Sequence, residues 1–238
     1  MKVIALSDLH GNLPLIEEDF DLMIICGDIC PTYSHDYYFQ ESWIRHDFIN
    51  WINKLNFKNE NSKVILVAGN HDFFFESNGK NTYMMDQILT KPTNGHLIYL
   101  HNSIYSFNYV DNMGNSKTYT IFGTPYCKLF GNWAFMRTNN FLSDAYSRIP
   151  NDVDILISHD APKIGKVGTI SKGLFSSEDA GNKNLADEIL KKTPKYVFCG
   201  HIHSGEHNLT KIKDINIYNV SLLDENYNLI YKPLILEI

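Results

Sequence analysis

The chain has 238 residues, 44% of them apolar, and its 27 acidic side chains outnumber 21 basic ones. The net charge of −6 argues against broad, non-specific nucleic-acid binding, which needs clustered Lys and Arg to displace counterions. It leaves room for a small nucleotide, because bound metal can supply the local positive charge.

The first apolar run is KVIALS at 2–7. It is too short for the apolar region of a signal peptide and meets Asp8 at once, so the N-terminus is not read as one. DLMIIC at 21–26 is a second run. Residues 37–55 then carry Phe39, Trp43, Ile44, Phe48, Trp51, Ile52 and Leu55 at three- and four-residue spacing, which predicts an amphipathic helix. KVILVA at 63–68 follows. Two strand-like stretches, 104–110 and 119–124, flank a polar turn at 112–115 and predict a hairpin. DILIS at 154–158, a helix over 184–192 that stops before Pro194, and KYVFC at 195–199 come next. A second hairpin over 211–220 and a last strand over 229–238 close the chain. This order predicts an α/β protein: two packed mixed sheets forming a sandwich flanked by helices, in one domain over 1–238.

Of the four cysteines, Cys26 and Cys30 are the close pair, and no second pair stands at zinc-finger spacing. No run approaches the roughly 20 apolar residues of a membrane span. A reduced, soluble, cytoplasmic protein with no membrane partner is expected.

Each of five strand-like runs ends in polar residues. They are Asp8-Leu9-His10, Gly27-Asp28, Gly69-Asn70-His71-Asp72, His159-Asp160 and His201-Ile202-His203. Ligands of open α/β sheets bind beyond the carboxyl ends of the strands. Taken alone, each motif reads as a surface loop or a turn. Together, in order, and each at a strand end, they predict one shared site. Carboxylates and imidazoles desolvated together are destabilising unless cations neutralise them. Two divalent ions fit, and the oxygen and imidazole donors suit Mn, Fe, Zn, Co or Ni.

The order D-x-H, G-D, G-N-H-D, H, G-H-x-H resembles the calcineurin-like metallophosphoesterase superfamily. Residues 122–135, 184–205 and 219–238 are similar to the branch named for metallophosphoesterase-domain-containing proteins of animal brain. The chain departs from the pattern at His159-Asp160-Ala161-Pro162, where His-Gly-Pro-Pro is commoner; the histidine is kept. The resemblance implies one metal on Asp8, His10 and His203, a second on Asn70, His159 and His201, and Asp28 bridging both. It also implies that His71 meets the leaving group and that Asp72 orients it.

The implied reaction is phosphoester hydrolysis by a hydroxide shared between the two ions, with manganese favoured. His71 would protonate the departing alkoxide. Substrate contacts are expected from Asn70, His71, His35 and Tyr126, with further candidates at 33–35, 73–75 and 126–133, where aromatic rings could stack a base. The acidic balance favours a small phosphodiester or cyclic nucleotide over long nucleic acid. A phosphomonoesterase with the same metals and a catalytically silent nucleotide-binding protein are the alternatives.

Overall fold

The near-continuous apolar runs become strands covered on both faces, as buried parallel strands require. In the computed structural model, which describes residues 1–171 and 177–238, Lys2–Leu6, Leu22–Ile25, Lys63–Leu66 and Leu97–Tyr99 pair in parallel. Leu234–Glu237 joins this sheet antiparallel, beside Lys2–Leu6. A second sheet runs in the order Thr210–Ile212, Ile215–Asn219, Tyr196–Cys199, Ile155–Ser158, Ser116–Thr124, Ser103–Val110. Its inner pairings are parallel and its two outer pairings are antiparallel.

Side chains alternate along each strand, so every strand feeds two layers. Val3, Ala5, Ile24 and Ile65 of the first sheet meet Ile121, Ile155, Ile157 and Phe198 of the second, forming the core between sheets. Ile4, Leu6, Met23 and Leu66 point the other way, into the helical layer with Phe48 and Ile52. Leu156 and Val197 do the same toward Leu142, Leu185 and Ile189. The architecture is the expected α/β sandwich, two mixed sheets between helices.

The helix expected over 37–55 forms as Tyr37–Trp43, Ile44–Phe48 and Ile49–Ile52, with wider π winding in its middle segment. Asp36 caps it by accepting from Phe39 N at 2.9 Å. Both hairpins form. The last strand is shorter than expected and covers Leu234–Glu237. Pro233 has no N–H for the ladder, and the residues before it fold back, with Ile230 N and Tyr231 N both donating to Leu222 O. Among the described residues no helix is long and apolar enough to cross a membrane.

Candidate metal centre and active site

Parallel pairing sets Leu6 beside Ile25 and Ile25 beside Leu66, so three strands of the first sheet end flush. In the second sheet Ile157 stands beside Phe198. The two sheets are stitched at this end, where Ser7 N donates to Val220 O at 2.8 Å and Leu222 N to Ser7 O at 3.0 Å. The five polar loops therefore leave from one place and meet.

The backbone is bent to aim them. Asp8, His10, Asp28 and His201 all have positive φ, at 55°, 43°, 51° and 68°. Left-handed backbone is costly for a residue with a Cβ, and its concentration here marks a site held by its surroundings. Gly69 and Gly200 let two loops come closer than any side chain would. A Cβ on Gly69 would meet Asp28 Oδ1, and one on Gly200 would meet Asp8 Oδ2 and Ser7 Oγ.

The donor atoms converge in three overlapping groups, each lying within 4.8 Å of one another: Asp8, His10 and His203; His10, Asp28 and His71; Asp8, Asp28 and His159. Asp28 Oδ2 is 3.6 Å from both His10 Nε2 and His159 Nε2. The His159 and His201 rings are 4.9 Å apart. All the metal ligands implied by sequence thus lie in one cluster.

Their hydrogen bonds fit divalent cations. Both ring nitrogens of His10 are buried without a partner among the described residues, which a neutral imidazole rarely tolerates. His159 Nδ1 lies 2.9 Å from the Cys26 carbonyl, an acceptor, so Nδ1 carries the hydrogen and a neutral ring turns the Nε2 lone pair inward. That lone pair faces Asn70 Oδ1 at 2.8 Å. Two acceptors facing each other repel, and a cation taking both lone pairs removes the conflict. His203 Nδ1 is likewise held by a backbone carbonyl, 2.9 Å from Asp224 O, with Nε2 3.3 Å from Asp8 Oδ1.

Electrostatics points the same way. Burial, then Asp72 and Asp8, push the Asp28 carboxyl well above the usual carboxylate range. Burial acts to raise Asp8 too, but the hydrogen bond from His203 and the positive charge of that ring hold it well below that range. Burial and neighbouring imidazoles lower His10 and His201. A buried set that pushes its members in opposite directions is relieved by bound positive charge.

His71 lines the cleft beside these groups. Burial, then His35 and His159, lower its pKa to about 4. Its Nδ1 is 3.3 Å from His35 Nε2, its N–H donates to Asp28 Oδ1 at 2.7 Å, and its carbonyl accepts from Gln40 Nε2 at 2.8 Å. Three sequence expectations are corrected, for Asp72, Tyr126 and His35. Asp72 does not orient the imidazole: its carboxylate accepts from Gly69 N, Cys30 N and Ile29 N, at 2.8, 3.0 and 3.3 Å, locking two loops together. Tyr126 does not line the cleft: it is buried, with its hydroxyl 3.0 Å from His101 Nε2. His35 stands behind His71 and lies outside the cleft wall.

The cleft holds about 220 Å³, and beyond the expected ligands it is walled by Phe130, Trp133, Glu225 and Tyr227. The Trp133 ring is 4.5 Å from that of His71, and the Tyr227 ring is 4.9 Å from that of His10. Sequence reasoning singled out the stretch ending at Trp133 but missed Gln40, Glu225 and Tyr227. Tyr227 is carried on the segment that folds back on Leu222, with φ at 62°. Its one signal was the Asp224-to-Asn228 turn, a common surface pattern.

Residues 1–205 match the family model described as calcineurin-like phosphoesterase. A UPF0046 protein of Caenorhabditis elegans is 28% identical over 81% of this chain. "Metallophosphoesterase domain-containing protein 1" of Homo sapiens is 24% identical over 100% of it. The chain spans 50% of the nematode protein's length and 71% of the human one's. Among solved structures, phosphopantetheinyl hydrolase from Mycobacterium tuberculosis superposes with a TM-score of 0.58 at 15% identity, covering 95% of this chain and 90% of that one. That likeness is one of fold.

Proposed function

This chain belongs to the calcineurin-like phosphoesterase family, and from that premise we propose that it is a metal-dependent phosphodiesterase for small substrates. Asp8, His10 and His203 would hold one divalent ion, Asn70, His159 and His201 a second, and Asp28 would serve both. Manganese is the favoured ion. When bound, two such ions polarise a phosphoryl oxygen and lower the pKa of bound water.

His71 faces the phosphoryl group with one ring nitrogen, while the other is held by His35. An anionic phosphoryl group placed against the ring favours its protonated form. That proton then passes from the cleft-side nitrogen to the departing oxygen. The Trp133 ring packs beside His71 and limits water on that side of the transfer.

One observation carries the preference for diesters. Among the described residues lining the cleft there is no Lys or Arg, and Glu225 places a carboxylate in its wall. A phosphomonoester carries a charge of about −1.5 to −2 near pH 7 and recruits Arg or Lys, whereas a diester carries a single negative charge. Phe130, Trp133 and Tyr227 offer flat apolar surface to an aryl group or a nucleobase, as in a cyclic nucleotide. We treat residues 1–238 as one unit, because the core between the sheets draws on both. The thiols of Cys26, Cys30, Cys127 and Cys199 are free and buried, which supports a reducing compartment such as the cytoplasm.

The test is turnover of bis-(p-nitrophenyl) phosphate against p-nitrophenyl phosphate, on chelated protein reloaded with Mn²⁺ or Ni²⁺. The diester should lead in kcat/KM by about tenfold or more. The reverse order would make the protein a phosphomonoesterase. No turnover of either ester, with metal bound, would make it a silent binding protein.

A further inference from the structure

Phe130, His201 and Glu225 line two cavities at once. On one side is the metal cleft of about 220 Å³. On the other is a cavity of about 450 Å³. Sites that enclose a small organic ligand run from about 300 to 1,000 Å³ and are mostly apolar. The metal cleft is smaller than that and crowded with the expected ligands, so it has room for the phosphoryl group and a ring against its aromatic wall but not for both esterified groups. The second cavity has the size and the lining that the cleft lacks.

Its inner wall is built from Ile170, Ala180 and Ile202. These pack on Ala161 and Cys199, both fully buried. Ala161 is one of the residues at which the His159 loop departs from the commoner His-Gly-Pro-Pro, so the departure lies under this wall. One side of the lining is pinned. Asp160 Oδ2 accepts from Lys128 N at 2.8 Å and from Asn182 Nδ2 at 2.7 Å, and Lys128 Nζ donates to Ala180 O at 2.8 Å. A cavity held open in this way loses little freedom when it is filled. Asp160, Glu178 and Glu225 put three carboxylates in the lining against the single ammonium of Lys128, a balance that disfavours a second anionic group.

We propose that this cavity is the subsite for one alcohol arm of the phosphodiester, and that it takes an uncharged, flat apolar or aromatic group. The proposal rests on the diesterase reading above. A substrate then straddles Phe130, with its phosphoryl group at the imidazole cluster and its arm against Ile170, Ala180 and Ile202.

The test separates the two readings by measuring binding without turnover. Manganese-loaded protein is titrated calorimetrically with 1-naphthylphosphonate and with methylphosphonate, neither of which has a cleavable ester. The naphthyl compound should bind about tenfold tighter or better, through burial of its ring. Ala180→Leu, which fills the cavity, should remove that advantage and leave methylphosphonate within about twofold. Phe130→Ala, at an exposed position where folding is not at stake, should also shrink the advantage. Equal binding of the two compounds to the unmodified protein, including none of either, would overturn the subsite. So would an advantage that survives both substitutions. A failure of diester turnover alone would overturn the diesterase reading and leave this result standing.

Discussion

His35 Nε2 lies 3.3 Å from His71 Nδ1, so the imidazole that faces the cleft is held by another imidazole. One ring donates and the other accepts, and the contact orients His71 with its other nitrogen toward the cleft. His35→Ala should therefore lower kcat by about tenfold with KM and metal content little changed. His35→Gln, whose amide can reach the same nitrogen, should recover part of the loss. His71→Ala should cost about 10²- to 10⁴-fold and keep both metals. Unchanged kcat in the His71 variant, on a diester with a poor leaving group, would remove it from the reaction.

Asp28 is the hinge of the cluster. Its Oδ2 stands 3.6 Å from imidazoles on two different loops, and its Oδ1 accepts from His71 N. Asp28→Ala should release metal, and elemental analysis after dialysis against Mn²⁺ should find less than half of the wild-type content. A variant that retained its full metal content would show that Asp28 is not a shared ligand.

Chelation should destabilise the fold, because the free site leaves His10 without partners and its carboxylates mutually exposed. An ion present at a hundredfold over its Kd contributes about 2.7 kcal/mol to the stability of the native state. The melting temperature should fall on treatment with chelator and return with Mn²⁺, rising further as free metal rises. A melting temperature indifferent to metal would mean that no ion is bound by the native state.

Much of this was legible in the sequence. The five polar motifs follow buried strands, and parallel pairing brings such ends to one place whatever the intervening lengths. The partners of those residues were not legible. Asp72 is next to His71 in sequence, yet its carboxylate turns to backbone N–H groups of Ile29 and Cys30 on another loop. Gln40 lies in the helical run 37–52 among residues read as packing, yet its amide reaches the His71 carbonyl and accepts from Phe74 N at 3.0 Å. Tyr227 reaches the cleft because Pro233 delays the last strand and the residues before it loop back. None of these contacts leaves a trace in hydrophobic periodicity.

Away from the metal cluster, His101 gives a pH-dependent contribution to stability. Burial, then the positive charges of Lys80 and Arg137, lower its pKa to about 4 from an ordinary 6.5. The folded state resists protonating this ring while the unfolded chain accepts the proton, so the contribution is complete above about pH 6.5 and is lost as pH falls toward 4. Between pH 7 and 5 the wild type should lose more melting temperature than His101→Gln does. Equal losses would assign the acid sensitivity elsewhere.

Loops from the two sheets should together hold one binuclear metal centre. Anomalous diffraction from crystals grown with Mn²⁺, collected on both sides of the manganese edge, tests it most directly. Two manganese peaks are predicted, on either side of Asp28, one against Asp8, His10 and His203 and the other against Asn70, His159 and His201. A single peak, or peaks away from these side chains, would contradict it.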